Sequence, residues 1–385
     1  MNYSFEYIDI ILLAMIAGFI FLRLRGILGK KTGHEENTRA TFSHGFSTKK
    51  EEYQKIDGNN FDEKAKAVFL KGAKIAYESI VTSFSSGELK KIKTLLDKKV
   101  FNEFNRVDKR MSRYREDSEL SEVNRIAASK SILVSSELLT VLEKAQQVSR
   151  VSGGAFDMTF SSVGYLYDLR ASVQPDQKAI RESLPAINYQ NVLLDPTART
   201  VGFKEKGVLI DLGGIAKGYA VDQGIAILKQ AGIKHARLSA GGDMYLLGDK
   251  RGKPWVVGIK DPRPAENDTR NTKEDTASEF VVALPLADVA LSTSGDYERF
   301  FIDGAGQRIH HILSPKTGKP AKGIQSVSVI GPDTTTTDGL STAIFVLGVK
   351  EGLALIERLA GIDVIIIDDQ HRFHYSTGLM QPAKN

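Results

Sequence analysis

The chain has 385 residues, 42% of them hydrophobic and 26% charged, a globular composition with room for one large or two modest domains. A formal net charge of +5 and a pI near 9.0 suit an anionic ligand or a membrane surface. The charges are interspersed, however, and without a basic block or basic-aromatic module no nucleic-acid partner is expected. Cysteine is absent, which excludes disulfides, thiolate metal sites, a cysteine nucleophile and a lipid-modified cysteine.

Residues 10–22, IILLAMIAGFIFL, form an uninterrupted apolar run, extended across Asp9 by Tyr7 and Ile8. The run is shorter than the roughly 20 residues of a comfortable membrane span. It lacks a basic leader and an A-x-A cleavage site, so residues 1–31 read as an uncleaved anchor, with an amphipathic or buried helix as the alternative. Arg23, Arg25, Lys30 and Lys31 follow it; by the positive-inside rule they put the C-terminal bulk in the cytoplasm, on a bacterial inner membrane. Residues 32–60 are polar and aperiodic, as in a flexible linker. Over 61–105, Phe69, Ala73, Ala76, Ile80 and Phe84 recur at helical spacing before the break at Ser85-Ser86-Gly87. FLRLRGILGKKTGHEEN and FLKGAKIAYESIVTSFSSGELKKIKTLL resemble bacterial relatives of the mitochondrial import-motor membrane tether, the Tim-forty-four-like family, across roughly the first 100 residues.

From residue 106 the character changes. RVDKRMSRYREDSELSEVNR, 106–125, reads as a helix ending in a polar turn, with Tyr114 placed either to stack on a planar ligand or simply to pack. SGGAFDMTFSSVGYLYDL, 152–169, brings Gly153, Gly154 and Asp157 into a turn ahead of aromatics. In VLIDLGGIAKGYAVDQGIAILKQAGI, 208–233, a short apolar strand Val208–Ile210 is ended by Asp211 and a tight turn at Gly213 and Gly214. A helix follows with Val221, Ile225 and Leu228 on one face and Gly232 as its stop. Backbone N–H groups, a carboxylate and Lys217 thereby converge where a helix N-terminus favours phosphate; an ordinary strand-to-helix connection is the alternative. Gly213 and Gly218 have P-loop spacing, but Tyr219 and Ala220 replace its Lys-Ser/Thr, and adjacent glycines exclude the dinucleotide fingerprint.

ARLSAGGDMYLLG, 236–248, is a second strand–Gly–Gly–Asp element, and WVVGIKDP, 255–262, is a strand ending in a proline turn. Residues 263–280 are expected to form a mobile polar surface loop. ALSTSGDYERFFIDGAGQRIHHILSPKTGKP, 290–320, predicts two short strands about Asp303-Gly304 and then a Pro/Gly loop. Serine beside histidine invites a hydrolase reading, but there is no GxSxG elbow and no third triad member. SVSVIGPDTTTTDGLSTAIFVLG, 326–348, predicts strand, turn and helix. Asp338 and Thr342, four apart, share a helix face and offer hard oxygens suited to Mg²⁺. A helix-capping Asp338 is the alternative.

AFDMT, DLGGIAKGYAVD, SAGGD, STSGDYERFF, HHILSPKTG and TDGLSTAIFVLG occur in this order between residues 106 and 377. Together they resemble the ApbE family, the FAD:protein FMN transferases. The resemblance implies an α+β fold of mixed sheets and packed helices over 106–385, using FAD and Mg²⁺. It implies attachment of FMN through a phosphoester to a Thr or Ser of a target protein, such as a respiratory or electron-transfer flavoprotein, with release of AMP. By the same resemblance Tyr114, Ala155, Phe156, Asp157, Asp211 and Lys217 occupy flavin-nucleotide positions. Gly214 (through its carbonyl), Asp338, Ser341 and Thr342 occupy metal positions. His311 is the candidate to take the proton of the attacking hydroxyl, a role suited by an ordinary imidazole pKa near 6.5.

Three departures stand out. No Met-Gly-Thr motif precedes Met111, although the family usually opens with a strand carrying one; Ser314 replaces an acidic residue common in the histidine loop; and the cysteine of exported lipoprotein members is missing. The alternatives are a weakened flavin-binding membrane tether, or a metal-dependent FAD pyrophosphatase that releases AMP and free FMN.

Overall fold

The computed structural model describes residues 98–264 and 280–380. The expected anchor, the linker and the first part of the helical segment lie outside the described residues, as does most of the polar loop. The described chain begins with α1 (Lys98–Met111), α2 (Glu119–Ile126), β1 (Ile132–Leu133), α3 (Ser136–Val151), α4 (Ser161–Gly164) and α5 (Gln177–Ser183). It continues through β2 (Val192–Asp195), β3 (Thr200–Phe203), α6 (Ala216–Gln230), β4 (Ala236–Ala240), β5 (Asp243–Leu247) and β6 (Trp255–Lys260). Then come β7 (Phe280–Leu286), β8 (Val289–Gly295), β9 (Phe300–Ile302), β10 (Arg308–His310), β11 (Leu313–Ser314) and β12 (Lys319–Pro320). β13 (Ile324–Gly331), α7 (Thr334–Leu347), α8 (Val349–Ile356), β14 (Asp363–Asp368), β15 (Phe373–Tyr375) and α9 (Thr377–Met380) complete it.

The main sheet has the order β15-β14-β13-β8-β5-β4, and every neighbouring pair is antiparallel. Helices alternating with antiparallel strands in this way make an α+β fold. Side chains of successive strand residues point to opposite faces, so the sheet is covered twice. On one face Leu246, Leu291, Ile330 and Ile365 pack against Val257, Ile259, Leu284 and Leu286 of the β6–β7 hairpin. On the other, Val327, Val329, Val364 and Ile366 meet Leu340, Ala343 and Ile344 of α7, while Tyr245, Leu247 and Ala290 meet Val221 and Ile225 of α6. Burial on both faces leaves β13 and β14 buried at every position; β14 carries the apolar run Val364–Ile367, whereas β13 alternates Ser326 and Ser328 with Val327 and Val329.

Two helices carry the loops that matter. α6 ends in a Schellman motif, with the Ile233 N–H donating to Leu228 O and the Gly232 N–H to Lys229 O, both at 3.0 Å, and Gly232 at φ +78°. Gly232 is the expected stop. α7 starts at an Asp333 N-cap whose carboxylate accepts the Thr336 N–H at 2.8 Å. Between α6 and α7, Gly218 has no room for a side chain: a Cβ there would collide with the Thr334 carbonyl and stand 2.9 Å from Asp338 Cβ.

The structure corrects three local expectations. Val208–Ile210 joins no sheet. Its backbone is held by side chains instead, Asn124 Oδ1 accepting the Ile210 N–H at 2.8 Å and Ser162 Oγ the Leu209 N–H at 2.9 Å. Gly213 and Gly214 do not adopt positive φ; their value is close approach, since a Cβ on Gly214 would lie 3.2 Å from Thr342 Oγ1 and 3.3 Å from Phe156 Cε2. Residues 106–125 are not one helix: α1 ends at Met111, and α2 begins after a Ser118 cap that accepts the Ser121 N–H at 3.0 Å.

Candidate active site

The N-terminal turn of α6 places Lys217 against α7 and the start of β5. Its ammonium lies 3.0 and 3.1 Å from the two Asp338 oxygens, 2.8 Å from the Gly213 carbonyl and 3.0 Å from Asp243 Oδ2. Both carboxylates are buried, Asp338 at 2% and Asp243 at 1% exposure, whereas the Lys217 side chain is 39% exposed. The cluster therefore opens to solvent through the lysine. Burial pulls the Lys217 pKa down, but Asp338 and then Asp243 outweigh it and the net shift is upward. For Asp243, burial and then the neighbouring Asp338 charge raise the pKa against the opposing pull of Lys217.

Asp338 is not a cap. Asp333 fills that role, and Asp222 on α6 closes the same end of α7, accepting the N–H groups of Thr334 and Thr335 at 2.8 Å each and the Thr335 hydroxyl at 2.5 Å. Asp338 sits farther in, where Oδ2 also accepts the Gly218 N–H at 3.0 Å. Below it α7 is fastened to β8 by hydroxyls. Ser292 Oγ lies 2.8 Å from Thr337 Oγ1, and Ser294 Oγ lies 2.8 Å from Ser341 Oγ and 3.3 Å from Thr342 Oγ1. The Ser341 hydroxyl also donates to the Asp338 carbonyl at 2.9 Å.

His311 follows β10, with Nδ1 3.3 Å from the Arg299 carbonyl. A carbonyl only accepts, so in the neutral ring Nδ1 carries the proton and Nε2 the lone pair. Burial lowers its pKa to about 4, the Arg299 carbonyl opposing, and Lys217 is among the nearby positive charges that disfavour protonation. The imidazole is thus neutral at physiological pH and belongs to the electrostatic neighbourhood of the cluster.

The remaining candidates are held by contacts of their own. Asp211 is buried, pairs with Arg113 Nε at 3.1 Å and accepts the Gly213 N–H at 2.6 Å. Tyr114 is 73% exposed, its ring 4.8 Å from the Arg113 guanidinium carbon. Ala155 and Phe156 are buried, and Phe156 Cε2 abuts Gly214. Asp157 is engaged within the protein: Oδ1 accepts the Thr159 N–H (2.8 Å) and hydroxyl (2.6 Å), and Oδ2 accepts the Tyr189 N–H at 2.8 Å. Its carboxylate ties the AFDMT turn to the segment before β2.

Four contributors were not singled out from the sequence. Asp243 was visible only as the end of the repeated Gly–Gly–Asp pattern, Ser294 as part of STSG, and Asp222 as the last residue of DLGGIAKGYAVD. Arg113, beside Tyr114, carried no motif signal.

The donors suit a hard divalent cation. Asp338, Thr342, Ser341 and the adjoining Gly214 backbone offer oxygens alone, and two buried carboxylates face one ammonium. Among the described residues no group of three or more His, Cys, Asp or Glu could hold a metal. A cation here would lean on one or two carboxylates and on substrate phosphate, the habit of Mg²⁺.

The chain is thus an antiparallel α+β protein with a buried acid–lysine–hydroxyl cluster between two helices. The sequence profile of the ApbE family matches residues 74–366, and the chain belongs to that family. The match begins inside the 61–105 segment, ahead of the first recognised motif. The FAD:protein FMN transferase of Treponema pallidum (strain Nichols) is 32% identical over 292 residues, covering 71% of this chain and 77% of the relative. That of Klebsiella pneumoniae (strain 342) is 30% identical over 275 residues, covering 71% and 82%. Among solved structures, the ApbE protein of Thermotoga maritima superposes with a TM-score of 0.65 at 32% identity, over 73% of this chain and 88% of that one. The flavin transferase ApbE of Vibrio cholerae gives 0.63 at 28%, over 74% and 90%.

Proposed function

We infer that this chain is an FAD:protein FMN transferase. The observation that carries the reading is the convergence of Lys217 from DLGGIAKGYAVD with Asp338 from TDGLSTAIFVLG at 3.0 Å, within a fold shared with flavin transferases. In the reaction a Thr or Ser hydroxyl of the target attacks the FMN-side phosphorus of FAD. The new P–O bond forms as the bond to the AMP phosphate breaks, and AMP leaves.

Such transfers need positioning and neutralisation of phosphoryl charge more than covalent help from the protein. Lys217 supplies a positive charge at the mouth of the cluster. His311 Nε2, neutral and unprotonated, takes the proton of the attacking hydroxyl. Asp338 and Thr342, with Ser341 and the Gly214 carbonyl, would hold Mg²⁺, which supplies charge neutralisation at the pyrophosphate. Exposed Tyr114 offers aromatic surface to the flavin end, and buried Phe156 packs behind Gly214. The partner is a protein bearing an acceptor Thr or Ser, of electron-transfer type. Residues 10–22 would fasten the enzyme to a membrane with its bulk on the cytoplasmic side; they lie outside the described residues, among which no helix is long and apolar enough to cross a membrane.

The test is incubation of the full-length chain with FAD, Mg²⁺ and a Thr-bearing acceptor peptide, followed by mass spectrometry and AMP detection. FMN on the peptide with matching AMP is expected. AMP with free FMN and an unmodified peptide would make the chain a pyrophosphatase, and FAD retained without AMP would make it a binder.

A further inference from the structure

Asp243 is the one carboxylate of the cluster that the transfer mechanism above does not use. The Gly241–Gly242 turn delivers it: φ values of +61° and +99° and the Ala240↔Asp243 pairing make a two-residue hairpin loop of the kind glycine permits. Asp243 is therefore the first residue of β5 and shares a face with Tyr245 and Leu247, the face packed on α6. Its Oδ2 is buried without a well-directed hydrogen bond and lies 3.0 Å from the Lys217 ammonium, and the Ser292 hydroxyl also bonds to the carboxylate. Removing one partner of such a buried pair is far costlier than having neither.

The ammonium also covers both Asp338 oxygens, the atoms a divalent cation would need. Lysine and cation thus compete for Asp338, and the outcome depends on where else the lysine can rest. We propose that Asp243 is a positioning residue that holds the Lys217 ammonium through its own carboxylate, so that Asp338 can be given over to a divalent cation. The proposal rests on the reading of Asp338 as a metal ligand. It makes Asp243 a controller of metal affinity that never touches the metal.

The experiment is a double-mutant cycle read by calorimetric titration of MgCl₂ into FAD-free, full-length protein at pH 8. The proteins are wild type, Asp243→Asn, Lys217→Met and the double variant, with circular dichroism checking each fold. Asp243→Asn leaves Asp338 as the only carboxylate on Lys217 and should weaken Mg²⁺ binding on the order of tenfold, the scale of coupling between directly contacting charges. Lys217→Met removes the competitor and should tighten it. In the Lys217→Met background the Asp243→Asn loss should vanish. A loss that persists undiminished there would mean Asp243 ligates the metal itself, and no loss in either background would mean it has no role; either overturns the proposal while leaving the metal reading intact. If Asp243→Asn fails to fold, Lys217→Met alone decides, since unchanged or weaker binding overturns the proposal. Absence of binding heat in both wild type and Lys217→Met would sink the metal reading and this inference together.

Discussion

The Gly218 N–H donates to the Asp338 carboxylate at 3.0 Å, and the two residues approach so closely that a Cβ at 218 would lie 2.9 Å from Asp338 Cβ. Glycine at 218 therefore sets the distance between α6 and α7, and with it the meeting of Lys217 and Asp338. Gly218→Ala should lower stability by about 1–3 kcal/mol, the usual scale of overpacking, and reduce AMP release more than FAD binding. Gly304→Ala is the control, because its Cβ would meet nothing within 4 Å. Equal melting temperatures for the two variants would refute the packing argument.

Asp338 has its own test. Asp333 already caps α7, so an Asn at 338, which caps about as well as Asp, should not preserve function. Asp338→Asn and Asp338→Ala should each slow AMP release on the order of 10²–10³-fold, as for loss of one preorganised electrostatic group. Thr342→Ala should cost less, since water can replace a neutral hydroxyl ligand. Near-normal turnover of Asp338→Asn across a Mg²⁺ titration would exclude the ligand role.

How much of this was legible in sequence depends on whether the cause was local. The strand–turn–helix of 326–348 and the helix from Ala216 were readable because apolar spacing and stop signals lie within each segment. Val208–Ile210 has the composition of a buried strand, but whether it pairs depends on Asn124 and Ser162, dozens of residues away. Asp243 looks like turn punctuation in SAGGD; only the hairpin register and the packing of β5 on α6 aim it at Lys217. Asp338 resembles a cap until Asp333 and Asp222 are seen closing that helix end. The misses at Val208–Ile210 and Asp243 are contacts between distant segments, which periodicity and spacing do not encode; the break within 106–125 is local, at the Ser118 cap.

Asp222 supports the site from behind. Its carboxylate satisfies three donors of the first turn of α7, and Asp222→Ala would strand them in partly buried surroundings. A loss of about 1–3 kcal/mol is expected, the penalty for unsatisfied buried donors, read as a lower urea midpoint at unchanged slope. Asp222→Asn keeps an acceptor oxygen and should lose less. Equal midpoints for Asp222→Ala and wild type would show that Asp333 alone closes the helix.

The pH dependence tests His311. Burial depresses its pKa to about 4, against an ordinary value near 6.5. The sign follows from the base role: the imidazole must be neutral to accept a proton, and it is neutral above its folded-state pKa. The acid limb of kcat/KM due to His311 should therefore fall near pH 4, leaving the profile flat through 6.5. Folding stability has the same sign but another window. The unfolded histidine takes up a proton near 6.5 and the folded one only near 4, so this contribution is complete above 6.5 and is lost as pH falls toward 4. His311→Gln should lower kcat/KM by at least about 10², the lower range for a general base, and abolish the His311 limb. An acid limb at 6.5 that disappears in His311→Gln would show an imidazole that titrates as if in water. In that case the depression by burial would be refuted while the base role stood. A limb at 6.5 unchanged by the substitution, with little loss of rate, would instead assign the proton transfer to another group.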